Sequence, residues 1–337
     1  MRGERLTLNL ILSNIEPTEN ARRVLGNEIA GKMEFSYDPE PSSQTLDRTE
    51  VLILQGKNWL TAGRIREMRN LRLIQSFSVG VEHLNYEIIP RQVIVCSNAG
   101  AFAEPIGEFV LGAVICLGRN LIEHDRKLKA GIFEHWPPGL FLKGKTMGII
   151  GTGGIGQAVA RFAVSFNMHT LGINTSGKPV PYFDEVSTPE RLDSLMKKSD
   201  VIVVAVPLTN KTKNMIGKEE LSFAKSNAII VNVARGAIID ESALYEFLKS
   251  HPESKAAIDV WWKYPARGEK TFSQDTPIAA LPNVLASPHF SDGVPEFFDL
   301  GWDSVVSNIA RYLSGKPLKG LVNPEDYYGL DHDASHP

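Results

Sequence analysis

The sequence predicts an α/β protein that consists of two doubly wound domains, each built on a parallel β-sheet. Three observations lead to this prediction. A length of 337 residues corresponds to about two domains of ordinary size. The middle of the chain alternates short, nearly continuous apolar runs with longer helical patterns, which is typical of parallel strands buried on both faces. The first part of the chain repeats this alternation with shorter segments.

In the middle of the chain we predict six strands and four helices. The strands are the apolar runs Thr146–Gly151, His169–Asn174, Val201–Val206, Ala228–Ala234, Ala256–Val260 and Val284–Ser287. The helical patterns between them are Ile155–Asn167, Pro189–Lys198, Lys218–Ala224 and Ser242–Ser250. Strands that alternate with helices in this way are joined by right-handed crossovers and form one doubly wound sheet.

The segment before residue 100 predicts a second, smaller α/β domain. Its strands are expected at Leu6–Leu12, Met33–Tyr37, Val51–Gln55, Leu73–Ser76 and Val93–Cys96. A long helix is expected at Glu104–Ala130, apolar in its first half and charged in its second. Near the other end, apolar residues recur at three- and four-residue intervals from Phe298 to Leu313 and predict a helix that ends before Gly315. The polar tail, residues 331–337, is expected to be frayed.

The composition excludes several functional classes. With 36 basic and 39 acidic residues the net charge is −3, so no nucleic-acid surface is expected. No apolar run reaches the roughly 18 residues that a membrane-spanning helix needs. Cys96 and Cys116 lie in apolar runs and are predicted to be buried free thiols, with a disulfide or a catalytic thiol as the alternative. No Cys/His spacing predicts a metal site, and without the pattern of a signal peptide the expected compartment is the cytoplasm.

A glycine-rich segment follows the first strand of the middle region. It comprises Gly151, Thr152, Gly153, Gly154, Ile155 and Gly156, and an apolar helix comes next; in this context the spacing G-x-G-x-x-G predicts a dinucleotide-binding turn. Gly151 would make the tight turn, Gly153 would admit the pyrophosphate, and Gly156 would let helix and strand pack closely. The helix N-terminus would offer free N–H groups and a positive dipole end to the phosphates. A purely structural glycine turn is the alternative.

The end of the second strand bears on the choice between NAD and NADP. NAD sites commonly place Asp or Glu about 20 residues after the glycines, but this strand ends in Asn174, Thr175 and Ser176, with Lys178 two residues later. The next carboxylate is Asp184. Because no carboxylate is expected to repel a 2′-phosphate, the segment favours NADP. A permissive site that accepts both cofactors is the alternative.

Three chemically active side chains are expected at the ends of the last three strands of this sheet. They are Arg235, Asp259 and His289, and the carboxyl ends of parallel strands face the ligand crevice. Arginine binds a carboxylate or polarises a carbonyl oxygen with a fixed charge, and histidine exchanges protons near neutral pH. Each residue alone is more often structural, but the three together behind a phosphate-binding turn predict an active site.

These motifs resemble those of the D-isomer-specific 2-hydroxyacid dehydrogenase family, over nearly the whole chain. The matching segments are the glycine motif, Val206–Thr209 with Thr212, Asn232–Gly236, Ile258–Val260, Ser287–His289, and residues 78–81 and 104–108. The resemblance implies a Rossmann cofactor domain at residues 100–289 and a smaller flavodoxin-like catalytic domain, discontinuous, at residues 1–99 plus 290–337. It also implies a homodimer formed through the long helix after residue 100.

The resemblance also implies a role for each site residue. His289 would be the acid/base, Arg235 would bind the 2-oxo acid, and Asp259 would hold the nicotinamide amide. The substrate carboxylate would be received by the backbone amides of three residues, Ser78, Val79 and Gly80. Further cofactor contacts would come from Val206, Pro207, Thr212, Val233, Ala234 and Ser291.

One position departs from the family pattern. The glutamate that keeps the family's histidine protonated would stand five residues after Asp259, where this chain has Tyr264. A phenol with an ordinary pKa of about 10 is neutral at pH 7, so we expect His289 to have a lower pKa than in glutamate-bearing relatives. Asp292 stands where the family usually has glycine; it is either a substitute charge or a loop-forming aspartate.

The sequence thus predicts an NAD(P)-dependent oxidoreductase of small 2-oxo acids and D-2-hydroxy acids, similar to glyoxylate and hydroxypyruvate reductases. Two alternatives stay open. The formate dehydrogenase branch of the superfamily also lacks the glutamate, and formate has no hydroxyl proton to remove. A catalytically weak NAD(P)-sensing protein would need the fold but little turnover. Neither nucleic acid nor membrane is expected as a partner.

Overall fold

The computed structural model describes residues 9–56, 58–135, 137–266 and 268–330. The predicted strand start at Leu6 and the polar tail at residues 331–337 lie outside the described residues. The described residues form two compact units: residues 9–102 with 294–330, and residues 103–293. We call them unit 1 and unit 2.

Along the described residues, strands and helices alternate through most of both units. The strands are β1 (Leu10–Ser13), β2 (Glu34–Tyr37), β3 (Thr49–Leu54), β4 (Leu73–Ser76), β5 (Ile94–Cys96), β6 (Thr146–Ile150), β7 (His169–Ile173), β8 (Glu185–Ser187), β9 (Val201–Val204), β10 (Ile229–Asn232), β11 (Lys255–Ile258) and β12 (Val284–Ala286). The α-helices are α1 (Glu19–Ile29), α2 (Ser43–Arg48), α3 (Ala62–Glu67), α4 (Ala103–Gly118), α5 (Leu121–Lys129), α6 (Gly154–Ser165), α7 (Leu192–Lys198), α8 (Lys218–Ser222), α9 (Glu241–Ser250) and α10 (Phe297–Leu313). Short 3-10 helices lie at Pro189–Arg191, Gly236–Ile238, Ile278–Ala280 and Pro324–Asp326.

Unit 1 contains a five-stranded parallel sheet in the order β2-β1-β3-β4-β5. The strand order reverses beside β1, which makes this a doubly wound sheet. The four residues of β1 and the four of β4 are all buried, as is usual for inner strands of a parallel sheet. From the other end of the chain, α10 brings the fully buried Trp302 into this unit, where its indole N–H donates to the Glu16 carbonyl at 3.0 Å.

Unit 2 contains a seven-stranded parallel sheet in the order β12-β11-β10-β9-β6-β7-β8. Six of these strands are those predicted from the sequence, and they end one or two residues earlier at their carboxyl ends because the chain turns away there. The seventh, β8, was not predicted. It is an edge strand of three residues with one aliphatic side chain, Val186, so it lacks the apolar run that marks the inner strands. The predicted fold class, two parallel-sheet α/β domains, is confirmed.

The single long helix predicted at Glu104–Ala130 is wrong. The segment forms two helices, α4 and α5, whose axes differ by 57°. Asn120 between them has a left-handed backbone with φ of 54°. The Lys255 ammonium holds this break by donating to the Leu117 carbonyl at 2.7 Å and to the Asn120 side chain. The break depends on the backbone angle of Asn120 and on a lysine far along the chain. The hydropathy pattern of the segment therefore does not reveal it.

The described part of the chain contains no single helix that is long and apolar enough to cross a membrane; only α4 and α5 taken together meet the criterion of length and composition. Both cysteines are free thiols, as predicted; Cys96 is buried as expected, whereas Cys116 is only half-buried. Burial raises the pKa of the Cys96 thiol to about 11, while its hydrogen bond with Asn308 acts in the opposite direction. Cys96 is therefore a protonated core residue rather than a reactive thiolate at neutral pH.

Candidate active site

The glycine-rich turn lies at the carboxyl end of β6, the strand between β9 and β7 in the unit 2 sheet. Gly151 has φ of 106°, a conformation that side chains with a β-carbon rarely adopt, and its N–H donates to the Ile173 carbonyl at 2.9 Å. A β-carbon at Gly156 would lie 1.9 Å from the Gly151 carbonyl oxygen. These two glycines are therefore required by the fold of the turn itself.

Gly153 behaves differently from its two neighbours. A β-carbon added there meets no atom within 4 Å, and its φ of −73° suits any residue. The open space lies at the N-terminus of α6, which begins at Gly154, so the first N–H groups of the helix face an uncrowded cradle. The turn, the cradle and the helix end fit the diphosphate of a dinucleotide.

The segment after β7 is organised by Asn174. Its side-chain oxygen accepts hydrogen bonds from the Ser176 N–H at 3.0 Å and the Gly177 N–H at 2.7 Å, while its NH₂ group donates to the Thr152 hydroxyl at 2.9 Å. Asn174 thus connects this segment to the glycine-rich turn. Thr175, Ser176 and Lys178 are exposed on it.

Arg235, Asp259 and His289 follow β10, β11 and β12, which are adjacent in the sheet. Because the sheet is parallel, all three lie at the same carboxyl edge as the glycine-rich turn. Asn232 shapes the turn before Arg235: its side chain accepts from the Ala234 N–H at 3.1 Å and donates to the Arg235 carbonyl at 3.0 Å. Arg235 is half-buried, and its guanidinium donates to the Ala234 carbonyl at 2.6 Å.

Tyr264 lies beside His289. The two ring centroids are 5.5 Å apart and the ring planes differ by 38°. The Tyr264 hydroxyl oxygen accepts a hydrogen bond from the Trp261 N–H at 3.1 Å, and the Trp261 indole donates to the Ser287 carbonyl at 2.8 Å. Trp261 therefore connects the tyrosine to the strand end that carries the histidine.

Asp292 interacts electrostatically with Asp259 and Arg235. Burial raises the pKa of the Asp292 carboxyl above its usual range; the Asp259 charge raises it further, whereas a hydrogen bond from its own N–H and the Arg235 guanidinium lower it. Asp292 is thus part of the charge balance at this edge of the sheet.

The other cofactor residues predicted from the resemblance also lie at this edge. Val206 and Pro207 follow β9, and the Thr212 hydroxyl donates to the Pro207 carbonyl at 2.7 Å and accepts from the Thr209 N–H at 2.8 Å. Val233 and Ala234 follow β10 and are buried, as is Ser291 after β12.

The three residues predicted to bind the substrate carboxylate lie in unit 1, directly after β4. The Ser78 N–H donates to the Ser76 hydroxyl at 3.0 Å, and the Ser78 carbonyl accepts from the Asn98 N–H at 3.0 Å. Ser78, Val79 and Gly80 are half-buried. The local bonds of Ser78 make the N–H groups of Val79 and Gly80 the better candidates for an anion.

Sequence reasoning missed two supporting roles. Asn232 was recognised only as part of a motif, and Asp259 only as a cofactor contact. The available signal for Asn232 was its polar side chain at the end of an otherwise apolar strand. The Asp259 carboxylate accepts hydrogen bonds from the Phe290 and Ser291 N–H groups, and nothing in the sequence indicates these partners.

Comparison with known proteins places the chain in a family. Residues 111–291 match the model of the D-isomer specific 2-hydroxyacid dehydrogenase NAD binding domain. The glyoxylate reductase of Thermococcus gammatolerans is 34% identical over 264 residues, which are 76% of this chain and 77% of that protein. The chain belongs to the D-isomer specific 2-hydroxyacid dehydrogenase family.

Other relatives agree with this membership. The D-3-phosphoglycerate dehydrogenase of Methanocaldococcus jannaschii is 32% identical over 310 residues, but the 90% of this chain that matches spans only 57% of that relative. A solved acyclic imino acid reductase in complex with NADPH and D-Arg has a TM-score of 0.73 and 25% identity, over 93% of this chain and all of that one. A Pyrobaculum aerophilum structure proposed to be a formate dehydrogenase, at 24% identity and a TM-score of 0.78 over 94% of this chain and 99% of that one, shows the fold alone.

The predicted family is therefore confirmed, and the names of the relatives agree with the predicted enzyme class, an NAD(P)-dependent D-2-hydroxyacid dehydrogenase. The matched family domain binds a nicotinamide dinucleotide. The names of the family and of its relatives refer to small 2-hydroxy and 2-oxo acids as substrates.

Proposed function

We propose that this chain interconverts small 2-oxo acids and D-2-hydroxy acids with a nicotinamide cofactor. The observation that carries the proposal is the arrangement at one edge of the unit 2 sheet. A glycine-rich turn with an open cradle follows β6, and a cation and an imidazole follow β10 and β12. These are the groups needed to bind a dinucleotide, stabilise charge on an oxygen and move a proton.

The site residues would divide the work as follows. The bound nicotinamide supplies or accepts the hydride. Arg235 would stabilise the negative charge that develops on the substrate oxygen during reduction. His289 would donate the proton to that oxygen and remove it in the reverse direction. In unit 1, the N–H groups of Val79 and Gly80, together with Ser78, would receive the substrate carboxylate.

We further propose that NADP is preferred to NAD. Support comes from the segment organised by Asn174, which presents Thr175, Ser176 and the Lys178 ammonium without a carboxylate of its own. A 2′-phosphate would gain the Lys178 charge, and no acid on this segment would repel it. Titration of the protein with NADPH and NADH tests this: we expect a lower Kd for NADPH, and a Lys178→Ala variant should lose that difference.

A substrate panel tests the activity. Consumption of NADPH and NADH is measured with glyoxylate, hydroxypyruvate and related 2-oxo acids, and cofactor reduction is measured with formate. We expect turnover of a 2-oxo acid that falls by at least about a hundredfold in Arg235→Lys, since lysine lacks the planar fork of arginine. Tight cofactor binding without turnover of any substrate would favour a sensor instead.

Formate oxidation is the second candidate. Beside His289 the chain has Tyr264 instead of a charged residue that would support proton transfer. Hydride removal from formate needs no acid/base, so formate turnover that survives a His289→Ala substitution would favour this candidate over the first.

We also propose a homodimer, formed by an apolar surface around α5. Six apolar side chains between residues 121 and 141 are exposed: Leu121, Ile122, Leu128, Ile132, Phe133 and Phe141. Phe133 is 79% exposed, and such a concentration of apolar side chains on one segment is typical of a protein interface. Light scattering should give twice the chain mass, and a Phe133→Ser/Phe141→Ser variant should give one chain mass.

The remaining proposals concern organisation and location. Residues 100–289 would be the cofactor domain, and residues 1–99 with 290–337 would be the substrate domain. The two free thiols, Cys96 and Cys116, support a reducing compartment such as the cytoplasm.

A further inference from the structure

The carboxylate of Asp259 binds the two N–H groups that directly follow His289. The Phe290 N–H donates to Oδ1 at 2.9 Å and the Ser291 N–H donates to Oδ2 at 3.1 Å. Asp259 is fully buried, and its own N–H donates to the Asn232 carbonyl at 3.1 Å. Both carboxylate oxygens are therefore engaged with one short turn, from an anchor at the end of β11.

The turn that these bonds hold has an unfavourable backbone. His289 has φ of 58°, in the left-handed region that residues with a β-carbon rarely occupy. Successive N–H groups next to such a residue point the same way and form a concave anion-binding turn. Here the anion is a side chain of the protein. Without it, the N–H groups of Phe290 and Ser291 would lose the acceptor that holds them in this turn.

We propose that Asp259 is a positioning residue that fixes the direction of the His289 imidazole by binding the N–H groups of Phe290 and Ser291. The inference rests on the proposed function, in which His289 is the acid/base. It differs from the cofactor contact that the family resemblance implies for Asp259, because the carboxylate acts here through the backbone of its own chain. A general acid that is displaced by about 1 Å loses up to about a hundredfold in rate.

An Asp259→Asn variant tests the proposal. An amide has the shape of a carboxylate but only one acceptor atom, so one of the two N–H groups would face an NH₂ group instead. Asp200→Asn is the matched control. The Asp200 carboxylate also accepts from a backbone N–H, that of Thr146 at 2.9 Å, but it lies at the opposite edge of the same sheet.

Three quantities are measured for the wild type and both variants. Amide hydrogen exchange of Phe290 and Ser291, followed by NMR in the cofactor-free protein, should accelerate at least about tenfold in Asp259→Asn. The kcat for 2-oxo acid reduction should fall at least about tenfold, while the Kd for NADPH stays within about threefold. Asp200→Asn should leave all three quantities at wild-type values.

Several results would overturn the inference. One is a Kd for NADPH that rises tenfold or more in Asp259→Asn while both amides stay protected, which would make the residue a cofactor ligand only. Another is faster exchange without any loss of kcat. Rapid exchange of either amide in the wild-type protein would also overturn it, and this check does not depend on a variant that folds. If the wild type reduces no 2-oxo acid, the proposed function fails. The role of Asp259 is then judged from the imidazole NMR signals of His289 alone. A shift of these signals in Asp259→Asn but not in Asp200→Asn would support the inference, and unchanged signals would overturn it.

Discussion

Tyr264 lies beside the proposed acid/base, and Asp292 follows it by three residues. The Tyr264 ring lies 5.5 Å from the His289 ring, and its hydroxyl is bound to the Trp261 N–H. A phenol with the ordinary pKa of about 10 adds no negative charge beside the imidazole at neutral pH. Proton donation by His289 should therefore be lost at a lower pH than it would be beside a carboxylate.

A Tyr264→Glu variant should reduce 2-oxo acids up to a higher pH than the wild type. A carboxylate beside the imidazole favours its protonated form and so raises the pKa of His289. On the alkaline side of the profile the variant should be about tenfold faster, the factor that corresponds to one pH unit. The measurement is kcat/KM against pH. Tyr264→Phe, which adds no charge, is the control and should keep the wild-type midpoint; an unchanged profile in Tyr264→Glu would contradict the account.

An Asp292→Asn variant should be more stable than the wild type at neutral pH. Burial, and to a lesser degree Asp259, raises the pKa of the native Asp292 carboxyl above its unfolded value. Between these two pKa values the native state binds more protons than the unfolded state, so wild-type stability falls as pH rises through this range. Asparagine has no such dependence.

Thermal unfolding against pH measures this effect. The Tm difference between Asp292→Asn and wild type should be near zero below the ordinary aspartate pKa and should grow as pH rises past it. A variant that is equally stable at every pH, or that loses stability at neutral pH, would contradict the assignment.

At the scale of elements, the break between α4 and α5 depends on the backbone of one residue. Asn120 has φ of 54°. A residue at this position therefore stabilises the break only if its backbone adopts the left-handed region at low energetic cost. Asn120→Ala and Asn120→Gly both remove the bond to Lys255 and differ only in the β-carbon. Alanine should therefore be less stable than glycine by about 1–2 kcal/mol.

Denaturant unfolding of these two variants gives the comparison directly. In one continuous helix the order would reverse, because alanine is favoured over glycine by about 1 kcal/mol in a helix interior. An alanine variant that is the more stable of the two would show that the break does not exist in solution.

Gly153 allows cofactor binding to be separated from folding. A β-carbon at this position meets no atom of the protein within 4 Å, so Gly153→Ala should keep the wild-type Tm. The methyl group would occupy the cradle, and the Kd for NADPH should rise at least about tenfold. In Gly156→Ala the β-carbon would lie 1.9 Å from the Gly151 carbonyl, so this variant should lose Tm and affinity together. Unchanged affinity in Gly153→Ala would place the diphosphate elsewhere.

A feature can be predicted from the sequence when the residues that determine it are close together in the chain. The buried strands β6, β9 and β10 are recognisable because each carries its own apolar run, and Arg235 and His289 are recognisable because they end such strands. The seventh strand, β8, pairs at an exposed edge and has almost no apolar signal. The Asn120 break and the Asp259 bonds join residues far apart in the chain, so no local pattern encodes them.

At the scale of the whole molecule, each unit carries a different part of the proposed function. Unit 2 holds the glycine-rich turn, Arg235 and His289, and unit 1 holds the turn after β4 together with α10 from the far end of the chain. A near-neutral net charge of −3 fits this division, because anions would be bound by helix ends, backbone amides and Arg235 rather than by the overall field.

The most direct test of the account is to follow the hydride. NADPH that carries deuterium at both C4 positions is incubated with the wild-type protein and hydroxypyruvate, or another 2-oxo acid of the panel whose reduction creates a stereocentre. The product is separated on a chiral column and its mass is measured by mass spectrometry. We predict a D-2-hydroxy acid with one deuterium at C2, and its loss in His289→Ala. An L-product, or oxidation of NADPH without deuterium in any product, would contradict the account.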